Sequence, residues 1–155
     1  LIMDSDGSHP PKCIPAIHKM FVEDKCDVVI GSRYVKGGVT NDAKSSQIMS
    51  HMLNFAFRIC LGLHANDLST DYRMYHTKQL KKVKLTCENY DVLEEVLLRL
   101  KLNKRDKKLK IGEVPINFQK RMYGESKRQL LKFIISYIKT LFRLIAVRMQ
   151  DAFHK

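Results

Sequence analysis

Residues 1–31, LIMDSDGSHPPKCIPAIHKMFVEDKCDVVIG, decide the fold. Leu1 to Met3 read as the end of a buried strand, and Asp4 to Pro11 are turn-forming residues whose two prolines suit a helix start. Ile14, Ile17 and Phe21 mark one face of a helix, and the apolar run Asp27 to Ile30, closed by Gly31, reads as a second buried strand. Strand, helix, strand in this order predicts an α/β domain with a mainly parallel sheet. The apolar opening carries no initiator Met, signal peptide or polar tail, so the chain reads as one whose beginning lies upstream of Leu1.

Outward from this unit, Gly37 and Gly38 open a polar loop. Ile48, Met52, Phe55 and Ile59 then recur at helical spacing until Gly62 supplies a stop. After an irregular polar loop from His64 to Tyr75, Leu93, Val96, Leu97 and Leu100 mark another helix, followed by a basic stretch from Lys101 to Lys110. Val114, Ile116 and Phe118 alternate as a strand in which Pro115 favours an edge position. Residues 129–150 form a long amphipathic helix, with Leu130, Ile134, Ile138, Leu141 and Ile145 along one side and Arg128, Lys132, Ser136, Lys139 and Arg143 along the other. That helix either packs on the domain or lies at a membrane interface, its cations at anionic head groups.

At 155 residues the chain suits a single domain with a real core. The surplus of 28 Lys and Arg over 16 Asp and Glu, a net +12, calls for nucleic acid, an anionic membrane surface or phosphorylated substrates. Nucleic acid is not expected, because the chain has no Trp and its aromatic residues form no stacking pattern. Cys13, Cys26, Cys60 and Cys87 lie too far apart for a zinc motif and read as free thiols. No apolar run is long enough and free enough of charge to span a bilayer.

Asp4 and Asp6 stand two apart at a strand end, where an extended backbone points both carboxylates to one side. Such oxygen ligands suit a divalent ion that bridges a pyrophosphate. The spacing alone fits solvated turn carboxylates better, since Asp-x-Asp is common by chance in loops.

MDSDGSHPP (residues 3–11) followed by GSRYVKGG (31–38) resembles the centre of family 2 glycosyltransferases, in particular the dolichyl-phosphate mannose synthases and their polyprenyl-phosphate relatives. NDLSTDYRMY (66–75), NYDVLEEVLLRL (89–100) and IGEVPINFQKRMYGESK (111–127) follow in the family's order. The resemblance implies the carboxy-terminal part of a GT-A, Rossmann-like domain, mainly parallel with flanking helices, over residues 1–127, and an amphipathic membrane-interface helix over 128–155. It further implies Mg²⁺ or Mn²⁺ on Asp4 and Asp6, with Asp6 the more direct ligand and Ser8 where relatives often carry Gln. Arg33, Arg73, Arg121 and Lys127 would surround the phosphates of donor and acceptor. Asp67 would lie on the acceptor side, and Glu95 would brace the site or orient the acceptor. The reaction implied is inverting transfer of mannose or glucose, from GDP-mannose or UDP-glucose, to a polyprenyl or dolichyl phosphate. An acceptor oxygen that is already anionic needs no strong general base. Such an enzyme would work peripherally on the cytoplasmic face of a membrane, with an anchoring subunit as a possible partner. A cell-surface polysaccharide as acceptor and an inactive membrane-surface adaptor are the alternatives.

The chain also departs from the family pattern. VTNDAKSSQ (39–47) lacks the usual Trp and Arg and offers Lys44 as its one cation. Ser69 to Asp71 replace a pattern that usually contains Gly, and Leu93 stands where Gln is common. These departures bear on the sugar and the acceptor and leave Asp4 and Asp6 intact.

Overall fold

A computed structural model describes residues 1–87, 92–104, 108–119 and 130–153, of which 130–134 are described by backbone alone. The fold is mixed α/β. A short 3₁₀ turn at Pro11–Cys13 leads into α1 (Ile14–Glu23), where Pro15 sits in the first turn. There its missing N–H leaves no intrahelical bond unmade. β1 (Val28–Ser32), β2 (Val39–Thr40) and α2 (Lys44–Leu61) follow, then β3 (Arg73–Tyr75) and the short α3 (Thr77–Leu80). α4 (Val92–Asn103), β4 (Ile111–Pro115), β5 (Asn117–Phe118) and α5 (Leu130–Phe153) complete the described elements.

β1 is central and buried along its whole length, in a sheet of order β3-β1-β4. It pairs in parallel with β4, from Val28 opposite Ile111 to Ser32 opposite Pro115, and antiparallel with β3. β2 and β5 form a second, parallel pair. Successive side chains of a strand point to opposite faces, so β1 serves two cores. Val29 joins Ile17 of α1, Cys26, Tyr72, Val114 and Ile116 on one side. Val28 and Ile30 join Phe57 and Leu61 of α2, Leu97 of α4 and Leu144 of α5 on the other. Each such side chain contributes about 1.5–3 kcal/mol when fully buried, and coverage on both faces is what a parallel pairing requires.

Several expectations need correction. Leu1 to Met3 are no buried strand: Ile2 makes a single antiparallel bridge to Arg73, and Leu1 and Ile2 are about half exposed. β3 lies between Ile2 and β1 and is the antiparallel member of a sheet whose other pairing, β1 with β4, is parallel.

In α2 the apolar row Ile48, Met52, Phe55 and Ile59 faces outward, 57–68 % exposed, while Asn54, Phe57 and Leu61 face the core. Gly62 ends the helix in the left-handed region at φ 61°, as its position predicts. Lys101 Nζ donates to the Leu61 and Gly62 carbonyls at 2.8 Å, and Arg148 donates to the Cys60 carbonyl. Both cations sit at the negative end of the helix dipole.

In α5 the buried line runs through Tyr137, Thr140 and Leu144, flanked by half-buried Leu141 and Ile145. Ile138, expected beside Leu141, instead points outward with Ile135, Phe142 and Met149. Arg143, expected at a lipid surface, turns inward to Thr86 Oγ1 at 2.8 Å and Glu95 at 3.3 Å. The helix is therefore apolar on two sides, one packed against α2 and α4 and one exposed. The side chains of Leu130, Lys132 and Ile134 are not described, and Arg128 lies outside the described residues.

Candidate active site

The polar groups of the loop after Met3 bond to one another. Asp6 Oδ1 accepts the Ser8 N–H at 3.0 Å and the Ser8 hydroxyl at 2.6 Å, which makes a local Asx turn. His9 Nδ1 accepts the Asp4 N–H at 3.0 Å. The buried His9 ring stacks on Tyr72 at 4.9 Å and meets Phe118 edge-on at 5.4 Å. Tyr72 in turn donates its hydroxyl to the Pro10 carbonyl at 3.0 Å.

With Nδ1 accepting, the His9 ring proton sits on Nε2, which lies 3.5 Å from Asp71 Oδ1. Burial lowers the His9 pKa below its ordinary value, so the ring is neutral. Asp4, His9 and Asp71 each bring a ligand-type atom within 4.8 Å of the others. Asp4 is pushed up to about 6, first by burial and then by the hydrogen bond and charge of Asp71. Two carboxylates this close disfavour each other's ionisation unless a cation joins them.

A second cluster adjoins the first. Asp67 is fully buried and accepts the Arg33 backbone N–H at 3.0 Å and its Nε–H and Nη2–H at 2.8 Å. Ser69 Oγ adds a bond at 3.2 Å, and Asp42 reaches Arg33 Nη1 at 3.3 Å. Burial alone would raise the Asp67 pKa and lower that of Arg33, but their mutual attraction reverses both shifts. Arg33 also lies 5.3 Å over the Phe118 ring, the same ring that His9 touches, so Phe118 links the clusters. Glu113, which sequence reading missed, accepts the N–H groups of Asn66 and Asp67 at 2.9 and 3.1 Å and fixes the turn that presents Asp67.

The family model for glycosyl transferase family 2 matches residues 1–84. The chain belongs to glycosyltransferase family 2. It is 36 % identical over 130 residues to the undecaprenyl-phosphate mannosyltransferase of Micrococcus luteus, covering 81 % of this chain and 51 % of that protein. It is 31 % identical over 148 residues to the dolichol-phosphate mannosyltransferase of Pyrococcus furiosus, covering 94 % and 40 %. It is 33 % identical over 129 residues to the polyprenol monophosphomannose synthase of Mycolicibacterium smegmatis, covering 81 % and 47 %. The chain thus spans about half the length of the curated relatives it matches.

Within this family 2 domain the expected site residues divide. Asp4 and Asp6 share one loop, and the structure adds Asp71 and His9 beside Asp4. Arg33 and Asp67 are brought together, but as partners of each other; the expectation that Arg33 faces phosphate rather than a structural carboxylate gives way to this pairing. Arg73 is fully buried and donates to the Thr70, Leu68 and Leu93 carbonyls at 2.6, 2.6 and 2.8 Å. Its Nη1 also donates to the Tyr75 hydroxyl at 3.3 Å.

Glu95, also buried, accepts from Thr86, Cys87 and Arg99, a brace between α4 and the preceding loop. Arg121 and Lys127 lie outside the described residues. Asp71 falls in the Ser69 to Asp71 departure from a pattern that usually contains Gly, but only the fold shows that it meets Asp4.

Carboxylates are the hard oxygen donors that Mg²⁺ and Mn²⁺ take, so the donor set fits a divalent ion. His9 presents an N–H rather than a lone pair toward Asp71, which makes it a support for the acids and not a ligand. Asp6 Oδ1 accepts from Ser8, while Asp4 and Asp71 bring carboxylate oxygens within 4.8 Å of each other.

Proposed function

We propose that this chain carries the diphosphate-binding part of a metal-dependent, inverting glycosyltransferase that moves a hexose from a nucleotide donor to a polyprenyl or dolichyl phosphate. The observation that carries this reading is the Asp4 and Asp71 pair, held beside the Arg33 and Asp67 pair in a chain whose relatives are named for mannosyl transfer to such lipids. Those names favour mannose, with GDP-mannose as the donor to test before UDP-glucose.

A divalent ion on Asp4 and Asp71, with Asp6 near it in the same turn, would neutralise the departing nucleoside diphosphate as a Lewis acid. The protein's own part is positioning. His9 and Tyr72 hold the loop of Asp4, Arg33 and Asp67 hold the adjoining wall, and the acceptor oxygen, already anionic, attacks without a strong base. Among the described residues no helix is long and apolar enough to cross a membrane. The outward apolar row of α5 suits a peripheral seat at the lipid interface on the cytoplasmic face, where the acceptor is reached.

The test uses full-length protein, GDP-mannose or UDP-glucose, undecaprenyl phosphate and Mg²⁺ or Mn²⁺. Asp4→Asn and Asp71→Asn should each lower turnover by about 10² or more at an unchanged unfolding midpoint. Wild-type turnover in both variants would remove the metal assignment, and no lipid-linked sugar from wild type would remove the function.

A further inference from the structure

A guanidinium carries five N–H donors, and in Arg33 they do not all serve the Asp67 pairing. Nε donates to Asp67 Oδ2 at 2.8 Å, and Nη2 donates to Asp67 Oδ1 at 2.8 Å and to Ser69 Oγ at 2.7 Å. Nη1 is the remaining edge, with two donors. One reaches Asp42 Oδ2 at 3.3 Å, and among the described residues the other meets no acceptor.

The two acids on this guanidinium differ in kind. Asp67 is fully buried and accepts through both oxygens, whereas Asp42 is 34 % exposed and meets Arg33 through one longer contact. Between Val28 and Asn66, Asp42 is the only Asp or Glu. Exposed Lys44 stands two positions on, yet the Asp42 carboxylate turns inward to Arg33. Nor does it cap α2, whose first residue follows Ala43 without a side-chain cap.

The loop does not depend on this contact for its path. Gln47 Nε2 donates to the Asp42 carbonyl at 2.7 Å, the Gln47 N–H donates to the Ala43 carbonyl at 3.0 Å, and the Asn41 N–H reaches the Phe118 carbonyl at 3.4 Å. Thr40 Oγ1 donates to the Asp42 carboxylate at 3.0 Å and accepts the Asp42 N–H at 3.2 Å. Bonds to the backbone of residues 41–43 therefore hold the segment whether or not the carboxylate stays on Arg33.

We propose that Asp42 is an internal competitor for substrate phosphate, its carboxylate resting on the Nη1 edge of Arg33 and leaving when a phosphate oxygen of donor or acceptor takes that edge. Carboxylate and phosphate oxygens ask the same N–H geometry of a guanidinium. A single, partly exposed contact can be given up at small cost, whereas Asp67 cannot leave without stranding a buried charge. The proposal rests on the reading above that the site takes phosphorylated substrates. It goes further by giving a loop acid, Asp42, control over how tightly they are held. Asp42 touches no reacting atom and is a positioning residue that acts through Arg33.

The test is calorimetric titration of the full-length protein with Mg²⁺, using GDP in one arm and undecaprenyl phosphate in detergent in the other. Asp42→Asn keeps an oxygen for the Thr40 hydroxyl but loses the charge. It should tighten binding in at least one arm by about threefold to fivefold, the worth of one partly exposed ion pair, and the arm that responds identifies the phosphate. Asp42→Glu keeps a carboxylate within reach of Arg33 and should bind no more tightly than wild type. In transfer assays, Asp42→Asn should lower KM for the same substrate by that factor and leave kcat within about twofold.

Unchanged or weaker binding of Asp42→Asn in both arms overturns the proposal. So does equal tightening in Asp42→Asn and Asp42→Glu, which would mark loop shape rather than charge. Transfer by wild type is read separately. Normal transfer with binding indifferent to Asp42 would remove the competitor and keep the function, whereas tighter binding by Asp42→Asn without transfer would do the reverse.

Discussion

Asp67→Asn separates positioning from chemistry at the centre of the site. Asp67 has no exposed surface, and the Arg33 side chain is 8 % exposed. The substitution keeps the shape but replaces one acceptor oxygen with an NH₂ that faces guanidinium N–H groups at 2.8 Å. Removing one partner of a buried ion pair costs about 3–5 kcal/mol, because the other charge stays buried. Asp42, at 3.3 Å and 34 % exposed, retains part of the compensation, worth up to about 1 kcal/mol.

The expected loss is therefore about 3 kcal/mol, on the order of a hundredfold in the folding equilibrium. Urea denaturation of the full-length protein at pH 7 measures it. A double-mutant cycle with Arg33→Met and Asp67→Leu should recover most of the loss in the double variant, since no unpaired charge remains. Transfer rates should fall by the same factor in either single variant and no further in the double. If Asp67→Asn unfolds within about 0.5 kcal/mol of wild type but loses its turnover, Asp67 acts on the substrate and the positioning account is wrong.

Two further outcomes follow from neighbouring geometry. Glu95 is held at about 2, because burial is outweighed by hydrogen bonds from Cys87, Thr86 and Arg99. A depressed carboxylate stabilises above its unfolded pKa, so its contribution should disappear as pH falls from about 4.5 toward 2. Because Arg99 and Arg143 are 26 % and 32 % exposed, the size is on the order of 2 kcal/mol. Denaturation midpoints of Glu95→Gln should be flatter than wild type across that window, and parallel curves would refute the brace. A Cβ on Gly38 would lie 2.6 Å from the Arg33 carbonyl oxygen and 2.7 Å from that of Ser32. Gly38→Ala should therefore cost about 2 kcal/mol in unfolding free energy, and an unchanged midpoint would show that this backbone contact is relaxed.

Much of the architecture was legible because it is local. The apolar run of β1, the proline-rich start before α1, the Gly62 stop and the long carboxy-terminal helix each follow from a few adjacent residues. The facing of the helices was not legible. Ile48, Met52, Phe55 and Ile59 have the spacing of a buried face, and only β1 and α5 decide that Phe57 and Leu61 point inward instead. Periodicity shows that a helix has a stripe and not what covers it. The site shows the same limit: Asp4 and Asp6 were visible as a pair, but Asp71 meets Asp4 only through the fold, and the Arg33 to Asp67 pair spans 34 positions. A cation inside a phosphate-binding motif and a cation paired with a buried acid look identical in one dimension.

The block 66–75 shows why so short a segment carries both clusters. Asp67 faces Arg33 from one end, and Asp71 faces Asp4 from the other. Leu68 and Tyr72, both fully buried, pin the segment to the two cores, Leu68 on the α2 side and Tyr72 on the α1 side beneath His9. Arg73 then closes the turn on itself through Thr70 and Leu68 and ties it to α4 through Leu93. Arg73 thereby fixes the turn that carries Asp67 at one end and Asp71 at the other. The surplus of positive charge is reduced by the same logic. Arg33, Arg73, Arg99, Lys101, Lys104 and Arg143 are each engaged by acids or carbonyls inside the domain. Among the described residues, exposed Arg58 of α2 and Lys139 of α5 form no such ion pair, and both helices also carry exposed apolar rows.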